Sequence, residues 1–248
     1  MINLRYKSQH LLIFIPILVV VSSVLYIFSL TTNSGVNNHR QLPKVQGFVL
    51  KEAQQLTNIQ LTDHQGMPVN HDYFLGKWQF ITYGYTQCPD ICPTTLLTLT
   101  ELADLLNANH EELATQFVFY TVDPMRDSQL ILAQYIHFFS DDFVAVRANN
   151  AADALSFQQS LGIKVEITCG TLNETEQGVC KNEDVLAVPN NGFLYQVNHG
   201  LAIYLINPKA ELQAVFLPEK TELGMDSFTP NRLYQDTLNI IHYYRQGS

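Results

Sequence analysis

The sequence predicts an α/β domain with a central mixed sheet and flanking helices, preceded by one N-terminal transmembrane helix. Three observations carry that reading. Residues 11–30 form a run of twenty residues without a charge. From residue 78 onward, short apolar strands alternate with helical stripes. The chain then closes with two strands joined by a turn and an amphipathic helix. Early strand-helix alternation followed by a late hairpin and helix is the order that a thioredoxin-like sheet needs.

The apolar run comes first. Twenty residues are enough to cross a hydrocarbon core of roughly 30 Å, and Pro16 is tolerated in a membrane helix. Arg5 and Lys7 precede the run, while Arg40 and Lys44 lie ten or more residues beyond it, so the N-terminus is expected in the cytoplasm. The run ends in Phe28-Ser29-Leu30 without a small-x-small cleavage pattern, so it reads as an uncleaved anchor rather than a cleaved signal. Either way the rest of the chain is exported. The expected organisation is a cytoplasmic N-terminus at 1–10, an anchor at 11–30, a polar tether at 31–46 and one folded domain at 47–248.

Within the domain, residues 48–50 and 59–61 are short apolar pieces around turn residues, expected to form a small hairpin. Residues 78–85 are continuously apolar and aromatic, as in a central buried strand. Pro93 opens a helix with a stripe at Leu96, Leu97, Leu99, Leu102, Leu105 and Leu106; proline suits the first helical turn, where its missing N–H has no partner anyway. A strand at 117–122 and a helix at 128–139 follow, with Leu130, Ile131, Tyr135 and Phe138 expected inward. Next come a strand at 143–147, a helix at 153–161 and an arm beginning at 165–168. Strands at 194–197, 202–207 and 212–216, with a turn at Pro208-Lys209, precede a closing helix at 231–244.

Composition removes one function class. The net charge is −9 and no basic run occurs, so the clustered Lys and Arg that a phosphate backbone requires are absent. Nucleic acid is excluded.

The chemistry concentrates in Cys88-Pro89-Asp90-Ile91-Cys92-Pro93, between the buried strand and the Pro93 helix. Cys92 falls near a helix N-terminus, where unpaired N–H groups and the macrodipole favour a thiolate. Two cysteines four apart can form a disulfide or hold a metal, and the two prolines stiffen the loop for the second role. Soft sulfur selects Cu(I), and imidazole adds affinity for Cu(II). Of eight histidines, His199 alone ends a strand and precedes a very apolar one, at the connection that faces the cysteine loop in a thioredoxin-like fold. Elsewhere, Cys169 and Cys180 enclose acidic and turn-forming residues and read as an arm closed by a disulfide, worth about 2 to 3 kcal/mol. A second metal site there is the sharper alternative, but no histidine lies nearby.

These residues carry a resemblance. Residues 84–93 (Gly-Tyr-Thr-Gln-Cys-Pro-Asp-Ile-Cys-Pro), 122–128 (Val-Asp-Pro-Met-Arg-Asp-Ser), Val197-Asn198-His199 and 204–208 (Tyr-Leu-Ile-Asn-Pro) resemble the Sco (SenC-type) copper proteins over about residues 47–245. Those proteins assist assembly of the dinuclear copper (CuA) site of cytochrome c oxidase. The resemblance implies that Cys88, Cys92 and His199 bind one copper ion, as Cu(I) or Cu(II). It also implies that Asp123 acts beside the site, in partner contact or in tuning the metal; the plain alternative is that Asp123-Pro124 ends a strand in a turn. The family usually has Asp before the histidine and Ser or Thr after it. Asn198 and Gly200 stand here instead, so altered surroundings of the ligand are expected.

Three functions follow from these motifs. The first is a copper metallochaperone that takes copper from a donor protein and passes it to oxidase subunit II or a similar copper oxidase. The second is a thiol-disulfide oxidoreductase in which Cys88 and Cys92 keep the oxidase's ligand cysteines reduced. A peroxiredoxin-type peroxidase fails, because Thr86 lies too close to the cysteines for that nucleophile motif. The expected location is a bacterial inner membrane with the domain in the periplasm, the mitochondrial intermembrane space being the alternative.

Overall fold

A computed structural model of the chain describes residues 19–27, 41–110, 112–170, 177–179, 194–220, 224 and 226–246. The chain divides into two compact units, Met1–Gln41 and Leu42–Ser248. In the first, residues 19–27 are helical and exposed, and the rest of the apolar run lies outside the described residues. Among the described residues, no helix is long and apolar enough to cross a membrane.

The second unit is built on an eight-stranded mixed sheet in the order β1 (Gly47–Gln55), β11 (Glu211–Phe216), β10 (Ile203–Ile206), β4 (Trp78–Gly84), β5 (Thr115–Thr121), β6 (Val144–Ala148), β2 (Leu61–Asp63), β3 (Pro68–Val69). Its central strand β4 (Trp78–Gly84) is buried throughout, the polar Gln79 and Thr82 included. Trp78 and Phe80 enter the core on one face, and Ile81 and Tyr83 enter the core on the other. β4 runs parallel to β5 (Thr115–Thr121), which runs parallel to β6 (Val144–Ala148). On the other side β4 pairs antiparallel with β10 (Ile203–Ile206), and β10 pairs with β11 (Glu211–Phe216) across the turn at Pro208.

One core is covered by α1 (Ile91–Asn109), α2 (Gln129–His137) and α4 (Pro230–Arg245). The other includes Phe157 and Leu161 of α3 (Ala151–Leu161) and Phe74 of a 3-10 turn at His71–Phe74. A separate three-stranded sheet, in the order β8-β7-β9, contains β7 (Val165–Gly170), β8 (Gln177–Val179) and β9 (Leu194–His199). A small ribbon pairs β12 (Glu219–Lys220) with β13 (Asp226–Ser227).

Most expected elements occur within a few residues of their predicted ends, and two expectations are corrected. The N-terminal pieces do not form a hairpin. β1 (Gly47–Gln55) pairs with β11, whereas β2 (Leu61–Asp63) pairs with β3 (Pro68–Val69) and β6. Each piece finds a partner far along the chain because the sheet edges offer unpaired backbone groups that a local hairpin would leave open.

The second correction concerns α2. Its buried side chains are Leu132 and Ile136, continued by Phe139, while Leu130 and Phe138 are 68% and 78% exposed. The helix is apolar on two faces, so periodicity alone could not choose between two stripes that both have helical spacing. Leu132→Ala should therefore destabilise the domain by about 2 to 5 kcal/mol. Leu130→Ser should change stability by less than about 0.5 kcal/mol. Urea unfolding of the two variants checks this, since the opposite ranking is what inward Leu130 would give.

Candidate metal centre

Three connections meet at one end of β4. The β4–α1 loop carries Cys88, and Cys92 is the second residue of α1. The loop after β5 carries Asp123, Arg126 and Asp127. The β9–β10 connection arrives there because β10 is antiparallel to β4, with Ile203 opposite Thr82, so the residues preceding Ile203 lie past the end of β4. Crevices beyond the carboxyl ends of adjacent parallel strands are where α/β sheets place their ligands.

Cys88 and Cys92 are buried free thiols. Cys92 Sγ lies 3.9 Å from His199 Nε2. The potential ligand atoms of Cys88, Cys92 and His199 all lie within 4.8 Å of one another. Gly84 makes this possible, because a Cβ at that position would overlap Cys92 Sγ.

The two thiols differ electrically. The Cys92 thiol beside it pulls Cys88 down to about 4, assisted by the backbone N–H groups of Cys92 and Asp90, while burial opposes the shift. Those amides belong to a helix start whose N-cap, Asp90, makes no side-chain cap bond. The open amides are thus free to hold a thiolate. Cys92 is pushed well up, first by its bond to Cys88 and then by burial. As a pair, the cysteines lose a first proton readily and keep the second.

His199 is oriented by its own chain. Its Nδ1 lies 2.7 Å from the Gly200 carbonyl oxygen, which can only accept, so Nδ1 carries the proton. In the neutral ring the lone pair is therefore on Nε2, the nitrogen turned toward Cys92. Tyr83 and Tyr85 flank the imidazole, with ring centroids 5.5 and 5.7 Å away.

A buried polar network lies behind the cysteine loop. Thr86 donates its N–H to Asp127 Oδ2 at 3.0 Å and its hydroxyl to Oδ1 at 2.6 Å. Thr121 donates its hydroxyl to Asp127 Oδ2 at 2.5 Å and accepts the Asp123 N–H at 3.0 Å. Burial raises the Asp127 carboxyl, while the Thr121 and Thr86 bonds oppose that shift. Asp123 is itself buried, ion-paired to Arg126, and accepts a hydrogen bond from the Tyr195 hydroxyl at 2.6 Å. Asp123 therefore does more than end a strand.

The structure brings Cys88, Cys92 and His199 together and sets Asp123 in the adjoining network. The expected Cys169–Cys180 bond lies outside the described residues. The expectation for Asn198 is corrected: its side chain is exposed, on the strand face opposite Val197 and His199, with Nδ2 3.5 Å from Thr168 Oγ1. The Asn198 amide is therefore turned away from the ligand. Gly200 does touch the site, since a Cβ there would lie 3.1 Å from the Tyr83 hydroxyl. Sequence reasoning missed Gly84, Arg126, Asp127 and Tyr195 as site residues. For Tyr195 a signal existed, because it stands four before His199 and so on the same strand face.

Fold and site together define a thioredoxin-like protein with two cysteines and one histidine placed as metal ligands. The SCO1/SenC family profile matches residues 50–225, and the chain belongs to that family. The mitochondrial SCO2 homolog of Mus musculus is 30% identical over 151 residues, covering 61% of this chain and 51% of that protein. A SCO2-like protein of Rickettsia felis is 36% identical over 92 residues, covering 37% of this chain and 44% of that protein. The chain thus spans about half the length of the curated relatives it matches. The crystal structure of Arabidopsis thaliana ScoI with copper bound superposes with a TM-score of 0.58 at 22% identity, over 81% of this chain and 100% of that one. At that identity the likeness concerns the fold.

Two outcomes are expected at the site. Iodoacetamide at about pH 6 should modify Cys88 before Cys92, because only the thiolate attacks; peptide mass mapping after short exposure reads the order. Gly84→Ala should destabilise the protein by about 1 to 3 kcal/mol, because the extra methyl forces Cys92 aside. Guanidinium unfolding measures that cost, and parent-like stability would show that Cys92 does not depend on Gly84.

Proposed function

We propose that this chain is a membrane-anchored copper metallochaperone that holds one copper ion through Cys88, Cys92 and His199. In this reading it assists assembly of the dinuclear copper site of cytochrome c oxidase. The observation that carries it is the convergence of two thiols and an imidazole whose free Nε2 faces Cys92. Membership of the SCO1/SenC family and the copper bound in the Arabidopsis relative support it. Two thiolates suit Cu(I), and the added imidazole extends the set to Cu(II). The run at 11–30 is read as the anchor, with the domain in the bacterial periplasm; the mitochondrial intermembrane space is the alternative. A copper donor protein and oxidase subunit II, or a similar copper oxidase, are the partners this role requires.

The residues divide the work. Cys88 offers a thiolate already held by backbone amides and the Cys92 thiol. Cys92 gives up its proton when copper arrives, since ligating sulfur must be deprotonated. His199 closes the set from the end of β9, a separate element. Delivery is then an exchange in which a partner's ligands replace these three.

One observation favours a second reading, reduction of the oxidase's cysteines. A Cys88 thiolate beside a protonated Cys92 is also the arrangement of an attacking and a resolving thiol. Cys88 would attack a target disulfide, forming a mixed disulfide and releasing one target thiolate. Cys92 would then lose its proton and attack Cys88, forming the Cys88–Cys92 disulfide and releasing the second target thiolate. In that exchange the Nε2 lone pair of His199 would accept the Cys92 proton; copper is preferred because two sulfurs and an imidazole nitrogen converge within 4.8 Å of one another.

Anaerobic titration of the reduced chain with Cu(I) against a competing chelator tests the proposal. One tightly bound copper is expected, lost in Cys88→Ser and Cys92→Ser and weakened about 10- to 100-fold in His199→Ala. Absence of stoichiometric copper in the reduced parent would defeat the chaperone reading and leave thiol exchange. Because Cys92 keeps its proton in the free protein, Cu(I) affinity should also rise about tenfold per pH unit between about pH 7 and 9. A pH-independent affinity over that window would mean that Cys92 is already ionised.

A further inference from the structure

β9 carries His199 but belongs to the separate three-stranded sheet, so among the described residues no ladder of the eight-stranded sheet fixes its position. Tyr195, Val197 and His199 alternate along β9 and share the face turned toward the domain. Val197 is buried there, whereas Gln196 and Asn198 on the other face are exposed. On this face Tyr195, like His199 with Cys92, reaches the body of the domain through a polar contact. Its hydroxyl donates to Asp123 Oδ1 at 2.6 Å. The Arg126 guanidinium, ion-paired to Asp123, stacks over the Tyr195 ring at 4.2 Å, and Nη1 reaches the Tyr195 carbonyl oxygen at 3.5 Å. The same guanidinium lies 5.3 Å from the Tyr85 ring on the cysteine loop.

These contacts join end to end. Thr86 on the cysteine loop bonds Asp127, Asp127 bonds Thr121, Thr121 bonds Asp123, and Asp123 bonds Tyr195. Every link is a hydrogen bond to a buried or part-buried group, where geometry is enforced because an unpaired polar atom is costly. The chain runs from the element that carries Cys88 to the strand that carries His199.

We propose that Tyr195 is a positioning residue which, latched to Asp123, fixes β9 so that His199 stays over Cys92. The proposal rests on the copper reading and assigns the task of holding the third ligand. Burial and the Asp123 bond both push the Tyr195 hydroxyl up, so it keeps the proton it donates. Removing that hydroxyl should free the histidine strand while leaving the cysteine loop anchored through Asp127. The two thiolates and the imidazole would then be affected unequally.

The test loads the reduced full chain with Cu(II) and records the copper-thiolate absorption band and the imidazole nitrogen coupling by pulsed electron paramagnetic resonance. In Tyr195→Phe the thiolate band should persist, the nitrogen coupling should be lost or split into several environments, and copper affinity should fall about 10- to 100-fold. Asp123→Ala, which removes the acceptor, should act in the same direction, and the double variant should be no worse than the more severe single one, because both remove one link. Parent-like nitrogen coupling in Tyr195→Phe overturns the proposal, even if its thermal midpoint drops, since that is what a merely structural tyrosine would give. Additive losses in the double variant overturn it as well. Failure of the parent to bind copper, or to show nitrogen coupling, would instead strike the copper reading itself. A coupled parent with an unchanged Tyr195→Phe strikes this inference alone.

Discussion

The antiparallel pairing of β10 with β4 is the constraint on which the site depends. β4 delivers the cysteine loop at its carboxyl end, and α1 follows directly with Cys92 in its first turn. Were β10 parallel to β4, its entry would lie at the opposite end of the sheet, roughly four residues or 13 Å away. With Ile203 opposite Thr82, the connection that carries His199 arrives instead beside Gly84. Gly84 then supplies the remaining clearance, since any side chain there would occupy the space of the Cys92 sulfur. Sheet direction, strand register and one missing Cβ together bring a thiol and an imidazole to 3.9 Å.

Electrostatics act on that geometry in a graded way. The Cys92 thiol bonds Cys88, and the open amides of the helix start assist, so one sulfur is ionised before any metal arrives. A second negative charge in the same buried space is disfavoured, so Cys92 keeps its proton. A cation that binds both sulfurs removes that repulsion, which makes the apo site receptive to one positive ion. Asp127, buried behind the loop, would be costly without partners; its three hydrogen bonds from Thr86 and Thr121 offset that cost and hold the loop in place.

The sequence made much of this legible, for identifiable reasons. β4 could be read because a strand buried on both faces is mostly apolar and aromatic, despite Gln79 and Thr82, and α1 because its leucine stripe has helical spacing. Cys88 and Cys92 stood out by spacing, and His199 by its place before a very apolar strand. Other features depend on partners distant in the chain. The segment at 48–50 pairs with residues near 215, a choice that no local pattern records. The inward face of α2 was misjudged because Leu130, Ile131, Leu132, Phe138 and Phe139 offer hydrophobic stripes on both sides, and only packing against the sheet selects Leu132 and Phe139. The network of Arg126, Asp127 and Tyr195 escaped notice because its links join the ends of three elements. Asn198 was overvalued for the reverse reason: adjacency in sequence suggested adjacency in space, whereas consecutive strand residues face opposite ways.

The central claim is that Cys88, Cys92 and His199 bind a single copper ion together. X-ray absorption spectroscopy of the Cu(I)-loaded chain tests it most directly, because it counts the atoms around the metal and separates sulfur from imidazole nitrogen. The account predicts two sulfur ligands and one imidazole nitrogen, with the nitrogen contribution absent in His199→Ala. A shell of sulfur alone in the parent protein, or a nitrogen contribution that survives His199→Ala, would contradict it.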